Sequence, residues 1–146
     1  ILSEDIKNIN EIKKIIKNTN KKTYLSMDFI KEKTITNFLN EMKNYKRKIG
    51  LVYTNTKKNH QLSDLMNIKR LKIAHKIEVC YGNCSNNLKF IFLSSFFNPD
   101  SIFFYVKNSG MKRRYKNISD ELHALDLNHV KHYLKMINLL SLKSKF

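Results

Sequence analysis

Residues 71–82 read LKIAHKIEVCYG. Leu71, Ile73, His75, Ile77, Val79 and Tyr81 occupy every second position. Successive side chains of a strand point to opposite faces, so this alternation predicts a long half-buried strand. Outward from it, Gly82 to Asn87 reads as a turn and Leu88 to Leu93 as a second strand. Asn98-Pro99-Asp100 is a turn signal, Ser101 to Lys107 a third strand, Ser109-Gly110 another turn, and Lys112 to Ile118 a fourth strand. Upstream, Ile49, Leu51 and Tyr53 alternate and lead into a polar turn at 54–59. The expectation is a run of antiparallel strands.

Helical periodicity marks the two ends. Ser3, Glu4 and Asp5 suit a helix start, and Ile6, Ile9, Ile12 and Ile16 form a stripe over residues 3–19. Val130, Tyr133, Leu134, Ile137 and Leu140 place a second stripe on a helix near 126–140. Residues 27–46 are ambiguous. Ile30, Phe38, Met42 and Tyr45 fit a helix face, while the β-branched start at Thr34 fits a strand.

The chain has 146 residues and a formal net charge of +16. That length suits one domain, and 42% hydrophobic residues with 11% aromatics suffice for a core. The mostly apolar run Phe90 to Phe97 falls far short of a membrane span. With 24 Lys, 4 Arg, 18 Asn and only 2 Ala, the composition is that of an AT-rich genome. Total charge is therefore weaker evidence of an anionic partner than its placement. Cys80 and Cys84 make no disulfide framework and read as reduced thiols of a cytosolic protein. His129 and His132, with His123 upstream, read as solvent-facing positions rather than a metal site. No Gly-rich phosphate loop, His-Glu-x-x-His or Gly-x-Ser-x-Gly motif occurs, so the expectation is a non-enzyme without a cofactor.

The segment Ile73-x3-Ile77-Glu78-Val79-x-Tyr81-Gly82 resembles the fourth strand of pleckstrin-homology (PH) domains. Ile102 to Val106 stands where the sixth strand would be, Arg113 to Ile118 where the seventh would be, and His132-Tyr133-Leu134-x-x-Ile137 where the closing helix would be. The resemblance implies an α+β, mostly β fold: a seven-stranded, partly open barrel capped by a C-terminal helix. The domain would span 34–142, with a helical extension over 1–22. Residues 34–43, 45–54 and 60–67 would become strands one to three, overriding the helical lean of 27–46. Tyr133 would fill the buried place of the family's usual Trp. With its basic character and N-terminal extension, the chain is similar to the acylated PH-domain-containing proteins (APH) of protozoan parasites.

That resemblance implies a membrane-lipid-binding module, sensing phosphatidic acid on the cytosolic face of micronemes to promote exocytosis. Three loops would meet at the open barrel end. They carry Lys43, Lys46, Arg47 and Lys48, then Lys69 and Arg70, then Lys112, Arg113 and Arg114. All four Arg fall there, and a guanidinium fork suits phosphate oxygens. Tyr45 and Met111 could insert among acyl chains. The implied partner is an anionic phospholipid membrane, with no small-molecule substrate and no nucleic acid. Three alternatives stand beside it: phosphoinositide binding, a protein-interaction scaffold, and a basic RNA-binding protein of an organellar ribosome.

Overall fold

The computed structural model describes residues 3–28, 30–54, 61–85, 87–108 and 124–143. A 3-10 turn, Ser3–Lys7, leads into helix α1 (Ile9–Lys17). Strand β1 (Thr23–Ser26), helix α2 (Glu32–Glu41), strand β2 (Ile49–Thr54), helix α3 (Leu62–His75) and strand β3 (Glu78–Asn83) follow in strict alternation. Helix α4 (Leu88–Ser94), strands β4 (Ile102–Phe104), β5 (Val106–Lys107) and β6 (Leu125–Asp126), and helix α5 (Leu127–Lys143) complete the chain. No described helix is long and apolar enough to cross a membrane.

The sheet runs β1-β2-β3-β4, every pair parallel. Parallel neighbours need a crossover, and α2, α3 and α4 supply the three crossovers. All helices whose core residues join the main cluster cover one face. Leu25, Ile49, Leu51, Val79 and Tyr81 meet Ile12 and Ile16 of α1, Ile35, Phe38 and Leu39 of α2, and Leu65, Ile68 and Leu71 of α3. Each fully buried aliphatic side chain among them contributes roughly 1.5–3 kcal/mol. Sheet order equal to chain order, with helices on one face, is how an arc of a β/α barrel is wound. After Tyr105 the chain pairs onward, the Leu125 N–H donating to the Tyr105 carbonyl at 2.9 Å and β5 lying parallel to β6.

Local signals explain the helix ends. The Gln61 N–H donates to the Asp64 carboxylate at 3.0 Å and starts α3. Lys76, left-handed at φ 48°, ends it. Asn87 caps α4 by accepting from the Lys89 N–H at 3.0 Å. Asp100 ties the layers together: its carboxylate accepts from the Val79 N–H at 2.7 Å and pairs with Lys72 of α3 at 2.9 Å.

The seven-stranded PH barrel is therefore not the fold. The stretch expected as strand one is α2, and strand three is α3. The alternation over 71–81 is the end of a helix followed by the start of a strand. Leu65, Ile68 and Leu71 are the buried positions of α3, three residues apart, whereas Ile73 is 66% exposed. Leu88 to Leu93 is helical because Asn87 caps it and Ile91 and Ser94 bury one face. Ile102–Phe104 and Val106–Lys107 are strands as expected, but parallel ones. The isoleucine stripe of α1 and the helix α5 are where periodicity put them. Tyr133 is half-buried against the His132 ring rather than enclosed at a barrel end. The expected strand at 112–118 lies outside the described residues.

Candidate active site at the carboxyl ends of the strands

The sheet face away from the helices is built in rows by the strand register. Tyr24, Gly50 and Glu78 form one row, Ser26, Val52 and Cys80 the next, and Thr54, Gly82 and Phe103 the third. Chain direction makes the first row the amino end and the third the carboxyl end. In parallel α/β sheets, ligands bind at carboxyl ends, where the loops leave the strands.

At that end lies a hollow of about 360 Å³, lined by Ser26, Thr54, Asn83, Cys84, Phe103 and Tyr105 among others. Gly82 lies in its lining and lets the Thr54 and Val52 side chains close over the strand. A Cβ there would sit 2.5 Å from Thr54 Cγ2 and 3.0 Å from Val52 Cγ1. The Ser26 and Thr54 hydroxyl oxygens lie 3.2 Å apart, one donating to the other. Asn83 is buried and organises the turn after β3. Its amide accepts from the Tyr81 hydroxyl at 3.1 Å and donates to the Ser85 carbonyl at 2.7 Å. Burial pushes the Tyr81 hydroxyl well above the ordinary tyrosine range, so it stays protonated and donates. Phe103 and Tyr105 are 45% and 47% exposed, leaving aromatic surface beside the hydroxyls.

Thr54 also borders a second hollow of about 280 Å³ between β1, α2 and α3. Asp28, Lys31, Glu32, Tyr53 and Arg70 line it, with Arg70 paired to Glu32 at 3.6 Å. The Asn67 amide donates to the Tyr53 hydroxyl at 3.1 Å, and burial raises that hydroxyl's pKa. The mouth thus combines hydroxyls, amides, aromatic surface and both signs of charge.

The amino end of the same face is occupied by its own side chains. The Tyr24 ring lies over Gly50, where a Cβ would come within 2.6 Å of it, and packs edge-on against Phe103 at 5.7 Å. Its hydroxyl donates to Glu78 Oε1 at 2.6 Å, and Lys22 pairs with the other carboxylate oxygen. The Lys22 and Tyr24 hydrogen bonds hold the Glu78 carboxyl below its usual range, while the bond to Glu78 pushes Tyr24 up to about 12. Burial, reinforced by the Glu78 charge, pushes the Cys80 thiol up to about 11, so it is no thiolate nucleophile.

Among the described residues, those expected from the sequence as a lipid site do not gather at one end. Lys43, Tyr45, Lys46, Arg47 and Lys48 share the 3-10 turn Lys43–Lys48, just ahead of β2 at the amino end. The Lys48 ammonium donates to the Thr19 and Ile16 carbonyls at 3.0 and 3.4 Å, and Tyr45 packs on the core. Lys69 and Arg70 ride on α3, with Arg70 at the opposite, carboxyl-end hollow. Met111, Lys112, Arg113 and Arg114 lie outside the described residues. Sequence reasoning missed Ser26, Thr54, Asn83 and Gly82. The strand-ending Gly82-Asn83 was visible, but only a parallel register puts it beside Thr54 and Ser26.

No protein-family model matches the chain, and no curated protein matches it. Solved structures share the fold. A protein named for spore coat polysaccharide biosynthesis (protein E) from Chromobacterium violaceum ATCC 12472 aligns with a TM-score of 0.73 at 13% identity, over 93% of this chain and 40% of that one. N-acetylneuraminic acid (sialic acid) synthetase from Leptospira borgpetersenii serovar Hardjo-bovis, in complex with citrate, aligns at 0.71 and 19% identity, over 94% and 46%. The chain thus spans less than half the length of each. These structures overturn the PH reading and what rested on it. The expected non-enzyme, the phosphatidic-acid sensor of micronemes and the exclusion of small-molecule substrates all fall. The phosphoinositide and scaffold alternatives fall with them. The proteins that share this fold are named as a synthetase and a biosynthesis protein, one of them holding a small carboxylic acid.

Proposed function

We propose that the chain is part of a carbohydrate-synthesising enzyme and that its carboxyl-end hollow binds a sugar acid or a related hydroxylated carboxylate. The observation that carries this reading is the Ser26–Thr54 hydroxyl pair, 3.2 Å apart, beside the exposed Phe103 and Tyr105 rings at the end where parallel strands bind ligands. Hydroxyls and amides suit sugar hydroxyl groups, and aromatic faces suit the C–H face of a sugar ring. The fold likeness to a sialic acid synthetase supports the same substrate class. Lys31 precedes the first turn of α2, where backbone N–H groups and the helix dipole favour an anion. Lys31 and Arg70 line the neighbouring hollow of about 280 Å³, which Thr54 joins to the first.

In this reading Ser26, Thr54 and Asn83 position hydroxyl groups, Phe103 and Tyr105 cover one ring face, and Lys31 meets the carboxylate. The test is a titration of the 15N-labelled protein with N-acetylneuraminate, citrate and glucose. Amide shifts should appear at Ser26, Thr54, Gly82 and Phe103 with the two acids and be weak with glucose. Ser26→Ala combined with Thr54→Val should weaken acid binding about tenfold, the scale of one or two lost hydrogen bonds. Shifts confined to the amino end, or equal affinity in the double variant, would remove the hollow as the site.

A further inference from the structure

The amino end of the sheet carries a third concavity, and its charge is one-sided. It measures about 900 Å³ and lies between the end of α1, the start of β1, the turn Lys43–Lys48 and the Lys76–Ile77 link into β3. Two of its cations are spent within the protein: Lys22 on Glu78 and Lys48 on the carbonyls that end α1. The others, Lys17, Lys43, Lys46, Arg47 and Lys76, form no ion pair with an acid among the described residues. Among the described residues Glu78 is the one acid lining the groove, and it is already doubly engaged.

Codon drift would raise Lys everywhere. It would not place five cations that are in no ion pair among the described residues around one hollow, from three separate segments of the chain and with an Arg among them. Lys76 reaches the rim from a left-handed backbone state, φ 48°, that Gly or Asn usually fills at a helix end. Such a set of charges repels itself until an anion of several charges neutralises it. The hollow has the size of small-molecule sites, roughly 300–1,000 Å³, which favours a compact ligand over a long polymer. Tyr45, Ile49 and Ile77 supply an apolar wall beside the cations.

We propose that this amino-end groove binds a soluble polyphosphate, a ligand with two or more linked phosphates held by Lys43, Lys46 and Arg47 on one side and Lys17 and Lys76 on the other. Arg47 would fork two phosphate oxygens while the lysines act as point charges. The site is separate from the carboxyl-end hollow and stands whether or not that hollow binds a sugar acid.

Calorimetric titration at 0.15 M salt tests it, with inorganic tripolyphosphate, ATP, orthophosphate and a single-stranded RNA oligonucleotide as probes. Tripolyphosphate and ATP should bind at least about tenfold more tightly than orthophosphate, since each bridges cations a single phosphate cannot. ATP equal to tripolyphosphate would mean that the phosphates alone are read, and tighter ATP that the Tyr45 wall takes the nucleoside. The combined substitution Lys43→Gln, Lys46→Gln and Arg47→Gln should weaken tripolyphosphate about thirtyfold or more, while the control set Lys7→Gln, Lys33→Gln and Lys89→Gln changes it little. Lys76→Gln alone should weaken it several-fold with the circular dichroism melt unchanged. Equal losses in both triple variants, orthophosphate binding as tightly as tripolyphosphate, or RNA outcompeting both would overturn the proposal.

Discussion

The two ends of the helix-free sheet face are built from the same strands and differ in what fills them. At the amino end Tyr24 lies across Gly50, and Lys22, Glu78 and Tyr24 satisfy one another. At the carboxyl end only the short Thr54 and Val52 side chains lie over Gly82, and Ser26 and Thr54 leave hydroxyls facing a hollow. A glycine on each strand admits a side chain: Gly50 the Tyr24 ring that plugs the face, Gly82 the smaller Thr54 and Val52 methyls beside the hollow. In β/α architectures the amino end serves stability and the carboxyl end serves ligands, and this division follows that logic.

The largest effect should come from closing the wrong glycine. Gly50→Val forces the Tyr24 ring off the sheet and breaks its bond to Glu78. It should destabilise the fold by about 3 kcal/mol, the upper range for overpacking, read by denaturant unfolding. Gly82→Ala should cost less, about 1–2 kcal/mol, because it adds a single methyl group and displaces methyl groups of Thr54 and Val52 rather than a ring. It should also abolish sugar-acid shifts. Removing the Thr54 methyl with Thr54→Ser in the same protein should recover most of the stability. If it does not, Gly82 does more than make room.

The smallest effect is a pH dependence confined to the amino end. Glu78 has its folded pKa lowered from 4.5, so its contribution is present at neutral pH and is lost as pH falls below about 4.5 through the folded value. Cys80 is raised from 9.0 to about 11 and Tyr24 from 10.0 to about 12, so their contributions hold below pH 9 and fade as pH rises through 9–12. Glu78→Gln should flatten the acid limb of a melting-temperature profile and let the Tyr24 phenol ionise at lower pH. Ser26→Ala should leave both limbs in place. An unchanged acid limb in Glu78→Gln would place the acid sensitivity elsewhere.

Much of the helix-side core was legible. Ile9, Ile12 and Ile16 announce α1 because an aliphatic stripe at 3.6-residue spacing has no other efficient use, while Ile6 extends the stripe into the 3-10 turn before it. Leu51, Val79 and Tyr81 announce strands for the same reason at period two. The misreadings sit where two periods overlap. Leu71, Ile73 and Ile77 alternate by coincidence across the α3–β3 junction, and only the burial of Leu65, Ile68 and Leu71 shows that the helical period wins up to His75. In the α4 stretch, LKFIFLS, apolar residues are so dense that neither period stands out, and Asn87 as a cap decides it.

What the sequence determined by itself is local: which residues are apolar at which spacing, where charge accumulates, and that Gly50 sits inside a strand pattern while Gly82 marks the end of one. What only the tertiary structure decided is direction and company. Parallel and antiparallel ladders use the same backbone groups, so side-chain alternation alone does not reveal that Leu51 lies beside Leu25 and Val79 in a parallel sheet. That pairing places Ser26 against Val52 and Thr54 against Gly82 beside the hollow, and brings Lys17 and Lys76 to one groove with Arg47 across about 60 residues of chain. The physical reason is that backbone hydrogen bonds carry no residue identity. Burial of one face against helices selects the register, and the residues on the other face acquire their neighbours as a consequence.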